Sequence, residues 1–157
     1  MKAKTFALAL PLALSLVFVS LALGFQDNPN MGTWKLNEAK SKFSGKARNH
    51  TVVYEAAGDQ TKVTVDGVDE NGAAVHSEWT GKFDGKDYPV TGDANSDVRS
   101  YRMINKNTLA LSGKKNGKVT LSGRVVVSRD GKTRTVTTTA TNAQGKKVTN
   151  TAVYDKQ

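Results

Sequence analysis

The chain has 157 residues, a formal net charge of +9 and no cysteine. Without cysteine there can be no disulfide framework, no thiol chemistry and no thiolate metal centre, and such a length fits one folded domain. The basic excess favours anionic partners over cationic ones.

In chain order, Met1-Lys2-Ala3-Lys4 is a short basic start. An apolar run from Phe6 to Leu23 follows, then the polar, turn-forming Gln26, Asp27, Asn28 and Pro29. With the small residues Ala22 and Gly24 flanking Leu23, this has the three parts of a secretory signal peptide. The rival is a permanent membrane anchor, which needs roughly 20 apolar residues; the run here is shorter and ends in small residues. The expectation is a signal peptide over residues 1–24, cleaved after Gly24 with Ala22 as the second choice. It leaves a single secreted or periplasmic domain over residues 25–157, with no transmembrane segment.

Leu, Ile, Val and Phe make up only about a sixth of residues 25–157, a fraction at which disorder becomes the prior. The pattern argues for folding instead. Val and Thr dominate, both are β-branched, and both suit a pleated surface. Gly58, Gly72, Gly85, Gly117, Gly131 and Gly145 punctuate the chain at steps of 14, 13, 32, 14 and 14 residues, and the long gap holds further breaks at Gly92 and at Asn105-Lys106-Asn107. Asn-Gly and Asp-Gly pairs such as Asn71-Gly72, Asp84-Gly85, Asn116-Gly117 and Asp130-Gly131 mark tight hairpins, whose primed turns need positive φ.

Between turns the residues alternate. Val75, Ser77 and Trp79 share a face; so do Val119, Leu121, Gly123, Val125 and Val127, and again Val148, Asn150, Ala152 and Tyr154. Period two with one apolar face marks antiparallel sheet that is wet on one side. The predicted strands are 32–36, 49–57, 60–69, 73–83, 86–91, 98–104, 108–113, 118–128, 132–142 and 146–155; only 37–48 could hold a little helix. The fold class is all-β, an up-and-down meander of eight to ten strands. Closing it into a barrel removes the two edges such a meander would expose; an open sandwich is the other solution.

The start Gly32-Thr33-Trp34-Lys35-Leu36 and the end Val153-Tyr154-Asp155-Lys156 resemble the calycin group, that is, lipocalins and intracellular fatty-acid-binding proteins. The stretch from Asp84 to Gly92 also resembles small secreted bacterial proteins. The resemblance implies a closed barrel that carries a small apolar or amphipathic ligand. Two departures stand out. Fatty-acid-binding proteins set a helix pair between their first two strands, and residues 37–48 are too few for one. They also read a ligand carboxylate with Arg-x-Tyr on the last strand; at the matching positions Ala152, Val153 and Tyr154, the tyrosine carries over and the arginine does not.

The candidate ligand-binding residues are Tyr54, Trp79, Arg99, Tyr101, Arg102 and Tyr154. Arg99 and Arg102 are three apart on one strand, and an odd offset puts them on opposite faces. One should therefore point inward, where a guanidinium needs a partner such as a ligand carboxylate or phosphate. Trp34, also on an inward face, is expected as a core plug. A barrel of ten strands is wide, and this chain has few large apolar residues to fill it, so a partly wet cavity is expected. The lysines gather at turns (Lys82, Lys86, Lys114, Lys115, Lys118, Lys132, Lys146, Lys147), which offers a second function: an envelope interaction module binding anionic polymers through a basic rim.

Aromatic residues are not interleaved with these lysines as single-strand nucleic-acid sites require, so no nucleic-acid partner is expected. His50 and His76 lack metal-ligand spacing, and no nucleophile or phosphate-loop motif appears. The reading is a monomeric binding protein that is not an enzyme and has no cofactor and no metal.

Overall fold

A computed structural model describes residues 28–141 and 145–157. The expected signal peptide, residues 1–24, and its cleavage site lie outside the described residues. Ten antiparallel strands follow in order: β1 Gly32–Leu36, β2 Arg48–Ala57, β3 Gln60–Val68, β4 Ala74–Gly81, β5 Tyr88–Thr91, β6 Val98–Asn105, β7 Thr108–Lys115, β8 Lys118–Val127, β9 Thr133–Thr141 and β10 Lys147–Lys156. Each pairs with its chain neighbours, and β1 closes on β10 with Trp34 opposite Lys156 and Leu36 opposite Tyr154. The result is a closed up-and-down barrel, as the alternation and turn spacing imply. Among the described residues the helical content is one 3-10 turn, Glu38–Lys40, within the 37–48 connection.

Apart from the β6–β7 turn, the connections between β2 and β10 each contain a left-handed residue. At the β7–β8 turn, Asn116 has φ 50° and Gly117 φ 74°, as a two-residue primed turn needs for its twist to match the strands. Alternation then sorts the side chains: on β8, Val125 and Val127 are buried while Arg124 and Val126 are exposed. Closure puts the buried set of all ten strands in one interior.

That interior is uneven along the barrel axis. At the end where the chain enters β1, Trp34, Tyr54, Val63, Trp79, Leu109, Val125 and Val127 form a close-packed core. Trp34 is the expected plug: fully buried, it donates its indole N–H to the Asn30 carbonyl at 2.7 Å, and the Lys156 ammonium lies 5.2 Å from its ring centre. At the other end the inward positions of β4, β8, β9 and β10 carry Val75, Ser77, Leu121, Thr138, Ala140, Val148 and Asn150, all only half-buried.

Two connections lie over that second end. Residues 37–47 run along β10 by a bridge between Lys42 and Thr151 and by Ser44 N–H donating to Asn150 Oδ1 at 2.8 Å. Lys46 N–H then ties the strap to Glu70 Oε2 on the β3–β4 turn at 2.8 Å. The β5–β6 loop, 92–97, is held by Asp97 N–H to the Lys114 carbonyl and by Thr120 Oγ1 to the Asn95 carbonyl.

Candidate ligand site in the barrel interior

Strand β6 settles the arginine pair. Arg99 and Tyr101 face inward, and the Arg99 side chain is 11% exposed. Arg102 is on the outer wall, exposed, with its aliphatic stem over Gly85. Tyr101, a residue too apolar and large to be left in water, fixes the sense of the alternation; Arg102, one residue on, must then face out. Arg102 is thus removed from the expected site.

Trp79 is also not a pocket wall. It is 1% exposed and packed among Phe83, Tyr88 and Tyr101, with ring centres 6.3, 5.8 and 4.9 Å away. Its indole N–H donates to the Arg99 carbonyl at 2.9 Å. Its contribution is to hold the backbone of β6, and hence Arg99, in place.

Arg99, Tyr101 and Tyr154 do come together, around a recess of about 180 Å³ whose wall also includes Val52, Val65, Leu111 and Val136. Tyr54 is one side chain away. The group at the centre was not among the candidates: Arg134, on β9, directly opposite Tyr154 of β10 and Val127 of β8. It is 3% exposed. Its Nη2 donates to the Tyr54 hydroxyl at 2.6 Å, and its guanidinium carbon lies 4.9 Å from the Tyr54 ring centre and 5.3 Å from that of Tyr154. An arginine thus stands beside Tyr154 on the neighbouring strand, where the last strand itself has none. The signal for it was alternation, since Arg134 shares a face with Val136, but the threonine-rich run around it offers little apolar contrast.

The electrostatics of this cluster are lopsided. Arg99 donates from Nη2 to Asp93 Oδ2 at 2.6 Å. No carboxylate among the described residues pairs with Arg134, and its Nε and Nη1 are buried with no acceptor, as is Nε of Arg99. The phenols cannot supply the missing charge at ordinary pH. Burial pushes Tyr154 up to about 12, against the pull of Arg134, and burial raises Tyr54 as well. Removing a cation from water without a counter-ion costs several kcal/mol. Cation–π contact with two tyrosine rings offsets roughly 2 kcal/mol or so of that when desolvated.

The turn lysines are divided between the two ends of the barrel, with Lys82, Lys86 and Lys132 at the packed end and the others at the opposite one. Lys82, Lys114 and Lys115 are paired with Asp59, Asp87 and Asp97. A broader trough outside β8 and β9, between Arg124, Val126, Thr135 and Thr137, is open surface without a buried polar group.

No family model and no curated protein matches the chain. Among solved structures, a redesigned β-barrel, mFAP1, bound to DFHBI, is similar with a TM-score of 0.44 and 13% identity, over 82% of this chain and 95% of that one. At that level the likeness carries no information about a ligand.

Proposed function

We propose that the protein is an exported binding protein that takes a small amphipathic anion into the barrel interior, with the anionic group at Arg134 and the apolar part against Val52, Val65, Leu111 and Val136. The observation that carries this reading is the Arg134 guanidinium, buried with two nitrogens lacking acceptors and no carboxylate beside it. A buried cation is tolerated where a partner arrives to satisfy it. A ligand carboxylate fits, since charge-assisted bonds from arginine are the strong ones.

The size of the recess sets the ligand class. An apolar cavity of about 150 Å³ takes benzene, whereas drug-sized ligands occupy roughly 300–1,000 Å³. A recess of about 180 Å³ suits a short-chain or single-ring acid. Export rests on the basic, apolar and small-residue pattern of residues 1–24. Intact-mass measurement of protein recovered outside the cytoplasm should show their loss; full-length chain retained in membranes would sink that part.

Binding is tested by NMR titration with hexanoate and with hexan-1-ol, which share a chain and differ in charge. Hexanoate should bind more tightly. In Arg134→Met it should lose about ten- to a hundredfold, the worth of a charge-assisted hydrogen bond of roughly 1.5–3 kcal/mol, while the alcohol is little changed. The unliganded variant should be at least as stable as the parent, because an uncompensated buried charge is gone. Equal affinity for acid and alcohol, or no effect of the substitution, would overturn the reading.

A further inference from the structure

Two arginines line one recess, but only one is without a counter-ion. The difference is Asp93. It lies on the β5–β6 loop, 15% exposed, with Oδ2 accepting from Arg99 Nη2 at 2.6 Å and Oδ1 accepting from Asn95 N–H at 2.9 Å. The loop is not free to withdraw it easily. Val90 N–H bonds the Asp97 carbonyl, Lys115 Nζ reaches the Ala94 carbonyl at 3.0 Å, and Ser96 is buried in the space left by the missing side chain of Gly113. Asp93 thus occupies Arg99 with a carboxylate that belongs to the chain itself.

Around the recess the charged groups are therefore two guanidiniums and one carboxylate, and burial keeps the phenols of Tyr54 and Tyr154 protonated. One positive charge is left over, at Arg134. Charge matching in a site removed from water is steep, because an unpaired charge there has no solvent to fall back on. A monoanion balances the recess. A dianion brings a second negative charge that meets an arginine already taken.

We infer that Asp93 is a specificity-determining residue, which fills Arg99 in place of a second ligand carboxylate and restricts the site to small monoanions. The inference rests on the reading of Arg134 as the anion receptor and adds to it the charge class of the ligand. Asp93 acts through Arg99 and is a positioning residue with respect to the ligand.

The test compares hexanoate with adipate, two six-carbon chains with one and two carboxylates, by NMR titration against three proteins. Wild type should prefer hexanoate by about tenfold or more. Asp93→Asn keeps the shape and a carbonyl oxygen for Arg99 but frees its charge, so adipate should gain about ten- to a hundredfold more than hexanoate does. A merely structural role for Asp93 would lower both acids together. The double variant D93N/R99M leaves neither charge of the pair behind and should fold if the single variant does not. It should return the ratio of hexanoate to adipate affinity to about tenfold or more in favour of hexanoate, whatever the change in the recess wall does to both acids together. Adipate bound as well as hexanoate by wild type, no gain for adipate over hexanoate in folded D93N, or an adipate preference kept in the double variant would each overturn the inference while the Arg134 reading stands on its own substitution. If wild type binds neither acid, the Arg134 reading fails and takes this one with it.

Discussion

The two ends of the barrel are built from the same strands and differ in what those strands turn inward. At one end Trp34, Tyr54, Trp79, Leu109, Val125 and Val127 are all 2% exposed or less. At the other, Val75, Ser77, Thr138, Ala140 and Asn150 leave the wall half-wet, and connections rather than side chains cover it. Ten strands present more inward places than the chain has large apolar residues to fill. Concentrating those residues at one end gives a core that can hold the fold, and the space left over becomes the recess. Arg134 sits where the two regimes meet, rooted beside Val127 and facing the cavity. Stability and recognition are thus separated along one axis rather than mixed through the interior.

The largest expected effect tests the packed end. Trp79→Ala removes a side chain in ring contact with Phe83, Tyr88 and Tyr101, and truncations of buried Trp or Phe cost about 3–5 kcal/mol. Val75→Ala, on the same face of the same strand toward the wet end, should cost about 1 kcal/mol or less, since roughly 0.8 kcal/mol accompanies each fully buried methylene. Urea midpoints at unchanged m-value would read both. Comparable losses would mean that the two ends are not energetically distinct.

A second effect comes from the tyrosines at the border. Burial, opposed by Arg134, pushes Tyr154 up from 10.0 to about 12. The folded protein therefore holds this proton more tightly than the unfolded chain does. The stabilisation is complete below pH 10 and is lost as pH rises from 10 to about 12. Two pKa units correspond to about 2–3 kcal/mol. Tyr154→Phe should remove that part of the alkaline loss, leaving a flatter stability curve over pH 9–12 in urea titrations. A variant that loses stability as steeply as the parent would place the titrating group elsewhere.

How much of this could be read in advance varies with the range of the interaction involved. Strand positions were legible, because turns such as Asn116-Gly117 and alternation such as Val125-x-Val127 are local. The overruns were local too: β4 and β5 were expected at 73–83 and 86–91, but Asp84 accepts from Lys86 N–H and from the Tyr88 hydroxyl, and this turn ends β4 at Gly81 and delays β5 to Tyr88, leaving only a bridge from Asp84 to Arg102 of β6. The offset between Arg99 and Arg102 gave opposite faces without saying which was inward. Arg134 was missed because its meaning depends on Tyr54, 80 positions away in sequence. The Asp93–Arg99 pair depends on the path of a loop, which no periodicity encodes.

The smallest effect is the sharpest test of the comparison, because it uses one pair of side chains in opposite directions. Val125, between Leu109 and Val136, is fully buried. Val125→Thr puts a hydroxyl there, and leaving such a group unsatisfied costs about 1–3 kcal/mol. Thr138 occupies an inward position on β9 in the wall of the recess and is half-buried. Thr138→Val removes a hydroxyl from a place where water or a ligand can reach, so stability should change by no more than about 0.5 kcal/mol, the range of substitutions away from packed or networked sites. Hexanoate affinity should stay within about twofold, because the anion is held by Arg134 and the wall contributes only apolar contact of roughly 25 cal/mol per Å². Equal stability changes at the two sites would show a uniform interior. A large drop in hexanoate affinity in Thr138→Val would move the anion away from Arg134 and toward the mouth of the barrel.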